Sequence, residues 1–436
     1  MNALSTRIVQ SMQTLWLRSQ KTANGKRAAP DSFENCSREQ GSDACVKDAF
    51  GTDDPISLRV DPWAEQCERQ DGLLLNILSY LDVSDVLKLK QISKRWKNLC
   101  AVTITHNFMP KKKFENWKKL RWAVHLYCKS CPKYMNLIGG TYGFPIGKWD
   151  VSEIENFGSL FRYKEHFNED IGSWNVSQAT TMQGMFIGAK TFNQDLSSWD
   201  TSNVENMRIM FSGAAVFDQD LSSWNTSKVT NMYGMFRAAK TFNKPLQNWD
   251  TSKVTTMGFM FAGAESFNQP LSQWDTSAVT DMDGMFERAI AFNQPLDQSN
   301  TRNVSSMNSM FSGAKSFNQP LNHWNTSAVR DMCFMFEGAA VFNQPLNQWD
   351  TSSVTKMTAM FEHADKFNQC LSNWDVSNVR SMSRMFRFAR EFDHWPREWW
   401  DMSNVTYSRH MLWGTSWSCQ LLLPNQAARQ NYSCYC

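Results

Sequence analysis

The segment FNQDLSSWDTSNVENMRIMF, residues 192–211, returns almost unchanged as FDQDLSSWNTSKVTNMYGMF at residues 217–236, and this repetition indicates the fold. The same order of Phe, Leu, Trp, Met and Met-Phe returns every 25 residues from about residue 142. A fixed period of this size is typical of solenoids and propellers, in which each unit stacks on its neighbours. A propeller blade needs about 40 residues, so the shorter period favours a solenoid of the leucine-rich-repeat class.

Each unit predicts one short strand and one short helix. Val204, Met207, Phe211 and Ala214 recur at helical spacing, which predicts a helix with one apolar face. The segment before each Trp often contains Pro, which cannot donate a ladder hydrogen bond, so the strand is expected to begin near the following Leu. The predicted fold class is an α/β solenoid, with one short parallel strand and one short helix per 25-residue repeat, preceded by a small all-α module.

One Trp occurs in each unit, and the sequence leaves the direction of its side chain open. If the chain turns before Trp199, the indole packs inward, whereas a regular strand would expose a ladder of indoles as a binding surface. We expect inward packing, because each Trp immediately precedes a polar turn. Ser299 replaces the Trp in one unit and is expected to leave a hole, which predicts that residues 292–317 form the least stable unit.

Two columns of Asn and Asp invite a metal-binding interpretation, but a structural one explains more of them. Asn193 and its equivalents are interpreted as a ladder that satisfies the turn backbone. The column that follows each Trp mixes Asp with Asn, as at Asp200 and Asn225, and capping of turns accounts for both residue types. The lone Cys128–Cys131 pair has no second pair nearby, as zinc would need. We therefore predict no metal, no cofactor, no catalytic residue and no enzymatic activity.

A protein-binding surface is predicted on the polar face of the array. The residues just before each Trp differ between units and are rich in Gln, Asn and Ser, which suits contacts made by hydrogen bonds. The predicted partner-binding residues are Gln247, Asn248, Gln273, Gln298, His323 and Gln348.

The consensus sequence of the units, FNQPLxxWDTSxVTxMxxMFxxA, resembles that of the BspA-like repeats, which are relatives of leucine-rich repeats found in bacterial surface proteins and microbial eukaryotes. The resemblance covers roughly residues 142–412. It implies binding to other proteins or surfaces, without enzymatic activity.

Upstream of the repeats, residues 71–100 carry apolar residues at the spacing of three short helices. This segment resembles an F-box in Ile77-Leu78-Ser79-x-Leu81-Asp82, Asp85-Val86-Leu87-x-Leu89 and Ile92-Ser93-x-x-Trp96. The resemblance implies binding to a Skp-type adaptor of a cullin–RING ubiquitin ligase. The predicted adaptor-binding residues are Leu74, Ile77, Leu78, Leu81, Val86, Leu89, Ile92 and Trp96.

The predicted organisation has four parts. They are a disordered tail over residues 1–62, an F-box-like helical module with a basic extension over 63–135, a solenoid of about eleven repeats over 142–415 and a terminal cap or tail over 416–436. A net charge of +3 argues against nucleic-acid binding, and no run of about 18 apolar residues predicts a membrane span.

The leading hypothesis from the sequence is a non-catalytic, protein-binding solenoid that acts as substrate receptor of a Skp–cullin–F-box ubiquitin ligase. Its partners would be a Skp-type adaptor and a protein target, and outside that complex we expect a monomer. The alternative is an adhesion or scaffold protein whose helical segment only caps the repeats. We expect a cytoplasmic or nuclear location, although the basic, acid-poor first 30 residues also suit an organelle transit peptide.

Overall fold

The structure, a computed structural model, describes residues 112–129, 132–394 and 400–416. Within these residues the regular helices come before the repeats: α1 spans Trp117–Cys128, α2 spans Pro132–Thr141 and a 3₁₀ helix spans Ile146–Lys148. The Asn116 side chain caps α1 by accepting a hydrogen bond from the backbone N–H of Lys119 at 3.0 Å, which satisfies one free donor of the first turn. None of the helices in this described part has the length and apolarity that a bilayer crossing requires.

Helices α1 and α2 cover the first unit of the repeats. Leu120 and Val124 of α1 are fully buried in the same apolar cluster as the repeats. Just before α1, the ring of Phe114 stacks on Tyr142 at 3.9 Å and lies 5.2 Å from the ring of Trp149. An end of a repeat stack would otherwise expose apolar side chains, so residues 112–141 act as its N-terminal cap.

The repeats stack one on the next, in register. In each unit one residue, which directly precedes the first Met in most units, forms a single parallel β-bridge with its equivalent in the next unit. The bridging residues are Asn156, Thr181, Asn206, Asn231, Thr256, Asp281, Ser306, Asp331, Lys356, Ser381 and Tyr407. The predicted strand near Leu196 is wrong, because the chain turns there: the backbone N–H of Trp199 donates to the carbonyl of Leu196 at 3.1 Å.

The predicted helix of each unit is also wrong, because two consecutive β-turns occupy its place in the described repeats. In the first turn, the backbone N–H of Met210 donates to the carbonyl of Met207 at 3.2 Å, and Ile209 has a φ of 49°. Residues 211–214 repeat the arrangement, with Gly213 at a φ of 73°. A positive φ at the third residue is the signature of type II turns.

The backbone amides of these turns show why no helix forms. Every second N–H donates to a carbonyl of the following unit, as Met207 does to Asn231 at 3.0 Å and Phe211 does to Met235 at 2.9 Å. In a helix those donors would bond four residues back along their own segment. Two successive turns also place side chains at intervals of three and four residues on one side, so the spacing alone resembles that of a helix.

Columns of aromatic side chains fill the core of the stack. Phe211 and Phe236 lie 5.7 Å apart with rings 5° from parallel, and Trp199 and Trp224 lie 6.3 Å apart with rings 4° from parallel. The Trp column is buried from Trp149 to Trp400, which confirms inward packing and rules out an exposed ladder of indoles. Each such aromatic pair contributes about 0.5–1.5 kcal/mol beyond its buried area.

Candidate functional site

The predicted partner-binding residues form one exposed row, which we call the polar row. It consists of Gln247, Asn248, Gln273, Gln298, His323 and Gln348, and all six are exposed. From residue 248 onward its members recur every 25 residues and directly precede the Trp position. The role of these residues in binding stays a prediction, although the structure does place them together on the surface.

The predicted adaptor-binding residues precede the part of the chain that the structure describes. Leu74, Ile77, Leu78, Leu81, Val86, Leu89, Ile92 and Trp96 all lie outside the described residues. Their role is carried by the sequence pattern alone.

A ladder of Asn and Gln side chains, a few residues before the polar row in each unit, joins successive units by hydrogen bonds. The backbone N–H of Asn268 donates to Oδ1 of Asn243 at 2.9 Å, and Nε2 of Gln269 donates to the same oxygen at 3.0 Å. The N–H to Oδ1 bond recurs along the stack, from Asn193 onto Asn168 to Asp393 onto Asn368. The interpretation of the Asn column as a structural ladder is confirmed.

One step of this ladder is ionic. Asp218 stands where most units have Asn, and Lys244 stands where the following unit would have Gln. Nζ of Lys244 lies 3.0 Å from Oδ2 of Asp218, so the two replacements compensate each other. The 25-residue repeat pattern does not pair these two residues, because they lie 26 residues apart rather than one repeat length apart.

The Asp and Asn column after each Trp forms Asx turns. Oδ1 of Asp200 accepts the backbone N–H of Ser202 at 3.0 Å, and Oδ1 of Asn225 accepts that of Ser227 at 3.0 Å. This confirms the capping interpretation for both residue types. Hydrogen bonds from the Ser202 hydroxyl and backbone N–H lower the pKa of Asp200, because they favour the ionised carboxylate.

The Asx turns predict that the free energy of unfolding decreases in acid. Ser252 and Ser277 lower the pKa values of Asp250 and Asp275 in the same way as at Asp200. A carboxyl group with a lowered folded-state pKa adds stability above its unfolded pKa of about 3.9, and this stability is lost as the pH falls through the folded-state value. We therefore expect the denaturant concentration at the unfolding midpoint to decrease once the pH is lowered below about 4.

The combined variant Asp200→Asn, Asp250→Asn and Asp275→Asn tests this dependence, because Asn accepts the same turn hydrogen bond at Asn225. Its midpoint is expected to match that of the wild type near neutral pH and to decline less steeply in acid. Denaturant titrations monitored by tryptophan fluorescence at a series of pH values measure both. An equally steep acid decline in the variant would refute the assignment.

The double turns form a second surface of the described repeats. The guanidinium of Arg208 lies 4.2 Å from the ring centre of Tyr233, a cation–π contact between successive units. In the next pair of units, the ring of Phe259 covers Gly284, where an added Cβ would lie 2.4 Å from Phe259 Cε1. The clue in the sequence was a large residue followed 25 positions later by Gly, which the assumed helix concealed.

The thiols of Cys128 and Cys333 are buried and have raised pKa values. Burial raises the pKa of Cys128 to about 12, so its thiol stays protonated near neutral pH and is a poor nucleophile. Burial likewise raises the pKa of Cys333 to about 11. Within the part of the chain that the structure describes, no three His, Cys, Asp or Glu side chains are grouped so that they could hold a metal ion.

Comparison with known families confirms both resemblances. The family described as "Mycoplasma protein of unknown function, DUF285" matches residues 136–248, 217–324 and 310–422, which together cover more than half of the chain. The F-box-like family matches residues 71–105. No curated protein matches the chain. An F-box suggests a role in a Skp–cullin–F-box complex with a Skp-type adaptor, and the repeats suggest protein binding.

Proposed function

This chain belongs to the family described as "Mycoplasma protein of unknown function, DUF285", and it carries an F-box-like segment. We propose that it is a non-catalytic substrate receptor of a Skp–cullin–F-box ubiquitin ligase. The F-box-like segment binds the Skp-type adaptor through Leu78, Leu81 and the other apolar residues predicted for that contact. The repeat stack is a strand-poor relative of the leucine-rich-repeat solenoid, and its polar row holds the target protein.

The observation that carries this proposal is the cap made by residues 112–141. Phe114, Leu120 and Val124 already bury the apolar end of the first unit, and the backbone N–H of Phe114 donates to the carbonyl of Asp150 at 3.0 Å. The F-box-like segment at 71–105 is therefore not required to shield the stack. This favours adaptor binding over the alternative of an adhesion or scaffold protein in which the segment is only a cap.

The polar row supports the second half of the proposal by its chemistry. Its Gln, Asn and His side chains offer hydrogen-bond donors and acceptors, while buried Trp residues and the amide ladder hold the backbone beneath them. Protein interfaces of transient complexes are commonly polar and carry about ten direct hydrogen bonds. A rigid row also avoids much of the entropy cost of ordering side chains on binding.

Adaptor binding is tested with the full chain and a purified Skp-type adaptor. Leu78→Arg and Leu81→Arg are each expected to weaken binding at least about 30-fold, because a charged side chain at a buried contact of an interface costs 2 kcal/mol or more. Leu137→Arg is the matched control, since Leu137 lies on α2 with 51 % of its surface exposed. Calorimetric titration of each variant measures the change.

A second set of variants distinguishes binding of the adaptor from binding of the target. Gln273→Arg combined with Gln348→Arg is expected to lose the proteins that copurify on the polar row and to retain the adaptor. Gln183→Arg makes the same change on the double-turn surface, at the position where the next unit carries Arg208, and is expected to lose neither. If the wild-type chain binds no adaptor, or if Leu78→Arg and Leu81→Arg bind it normally, the scaffold alternative replaces the proposal.

A further inference from the structure

The C-terminal end of the double-turn surface carries a cluster of cationic and aromatic side chains, which we call the arginine patch. It consists of Arg384, Arg387, Phe388, Arg409, His410 and Trp413. Hydrogen bonds between successive units bring the residues together: the backbone N–H of Arg384 donates to the carbonyl of Arg409 at 2.8 Å, and that of Phe388 donates to the carbonyl of Trp413 at 2.7 Å. Arg384, Arg409 and His410 are exposed, whereas the other three residues are half-buried.

We propose that the arginine patch binds an acidic segment of a partner protein, whose Asp or Glu carboxylates pair with Arg384 and Arg409. Clusters of Arg are a recurring means of recognising acidic motifs, because the planar guanidinium group can donate two parallel hydrogen bonds to one carboxylate. The patch uses none of the residues of the polar row, so this inference goes beyond the proposed function and does not depend on it.

Arg387 forms the fixed centre of the patch. Its Nη1 lies 2.9 Å from Oε1 of Glu362, whose side chain is 4 % exposed. Its guanidinium carbon lies 4.9 Å from the ring centre of Phe388 and 4.8 Å from that of Trp413, which makes two cation–π contacts. A buried carboxylate and two rings therefore hold Arg387 in place, so the patch loses little conformational entropy when a partner binds.

Arg384 and Arg409 provide the charges that a partner can reach. Nη1 of Arg384 lies 3.8 Å from Oε2 of Glu362, which is too long for a hydrogen bond, and 44 % of the Arg384 side chain is exposed. Arg409 is exposed and forms no ion pair with the residues that the structure describes. Three arginine charges, with that of Arg387, stand against the one carboxylate of Glu362, which leaves the patch positive and complementary to an acidic partner.

Large side chains of the patch occupy turn positions that favour glycine. Arg384, Phe388 and His410 have φ values of 59°, 58° and 57°, in the left-handed region. In most of the described units Gly takes at least one of the two left-handed positions, as Gly284 does. Arg384 and Phe388 fill both in one unit, and the ring of Phe388 lies over Gly414, where an added Cβ would be 2.4 Å from Phe388 Cδ1. Backbone strain of this kind concentrates at binding sites, which supports a binding role for the exposed residues.

The charge pattern favours an acidic peptide over a nucleic acid. Glu337 and Glu362 occupy the place of Arg387 in the two preceding units, so the positive surface ends there. The patch spans two units and is about 10 Å long, because neighbouring chains in a parallel ladder lie roughly 4.8 Å apart. A nucleic acid carries a phosphate on every nucleotide and would continue over these carboxylates, whereas two Asp or Glu side chains of a peptide fit within the patch.

The test uses the full chain and a rhodamine-labelled hexaglutamate peptide, whose binding is followed by fluorescence anisotropy. We expect saturable binding that weakens as salt is added, because the pairing charges are exposed to solvent. Arg384→Glu combined with Arg409→Glu is expected to raise the Kd at least about tenfold. Arg237→Glu combined with Arg288→Glu is the matched control, since it makes the same change of charge at exposed double-turn positions. These positions lie about four or more units from the patch, beyond the reach of screened charges, so the Kd should change less than about twofold.

A single substitution, Arg409→Glu, leaves the ion pair between Arg387 and Glu362 intact and is expected to raise the Kd at least about threefold. The absence of binding at millimolar peptide, or equal Kd values for the patch and control variants, would overturn the proposal. Tighter binding of a single-stranded hexathymidylate, lost in the same patch variants, would also overturn it and make the surface a nucleic-acid site. Adaptor binding is expected to be unchanged in the patch variants, so this proposal and the proposed function can each fail without the other.

Discussion

Replacing Trp249 with Ala is expected to lower the free energy of unfolding by about 3–5 kcal/mol. Trp249 is 2 % exposed and stacks 6.5 Å from Trp224 on one side and 6.5 Å from Trp274 on the other. Its indole N–H donates to the carbonyl of Leu221 at 3.0 Å, and in the variant this carbonyl keeps only the backbone N–H of Trp224 as a donor. The substitution therefore opens a cavity and weakens two interfaces between units at once.

Denaturant titration followed by far-ultraviolet circular dichroism measures this loss. Trp122→Ala is the matched control, because Trp122 lies on α1 with 47 % of its surface exposed, and the change is expected to stay within about 0.5 kcal/mol. A loss below about 1 kcal/mol at Trp249 would contradict the buried, stacked arrangement of the column.

Filling the vacant position is expected to have the opposite effect. In the wild-type chain, the amides of residues 292–317 should exchange with solvent fastest among the central units, because this unit has Ser299 in place of the Trp and lacks the contacts of one indole. Ser299→Trp should slow exchange there, because the indole would restore the ring stacking and the hydrogen bond that Trp274 makes to the carbonyl of Leu246 in a complete unit. The gain is expected because the flanking rings keep the spacing of complete units.

Hydrogen exchange measured by mass spectrometry on peptides of each unit resolves this effect. Gln348→Trp introduces the same side chain at an exposed position and is expected to leave the exchange pattern unchanged. Two results would contradict the prediction: wild-type exchange that is slowest in residues 292–317, or no slowing in Ser299→Trp.

The sequence predicted which side chains are buried more accurately than it predicted the backbone that carries them. The columns of Phe, Met, Ala and Trp are buried as expected, and the Asn ladder and the Asx turns have the hydrogen bonds that the residue types suggest. The helix and the strand of each unit were misplaced. The spacing of Val204, Met207, Phe211 and Ala214 fits a helix and a pair of turns equally well, because both return to the same side every three to four residues.

The period, the stacking of units and the identity of the core follow from the amino-acid sequence alone, because no single 25-residue unit can remove its own aromatic and thioether side chains from water. The left-handed backbone conformation of Ile209 and Gly213 depends on the folded stack, because the amides of Met207 and Phe211 find their acceptors in the next unit rather than in their own. The packing around Ser299 also depends on the stack: the Phe columns keep their spacing there, and a cavity of only about 10 Å³ remains beside the missing indole.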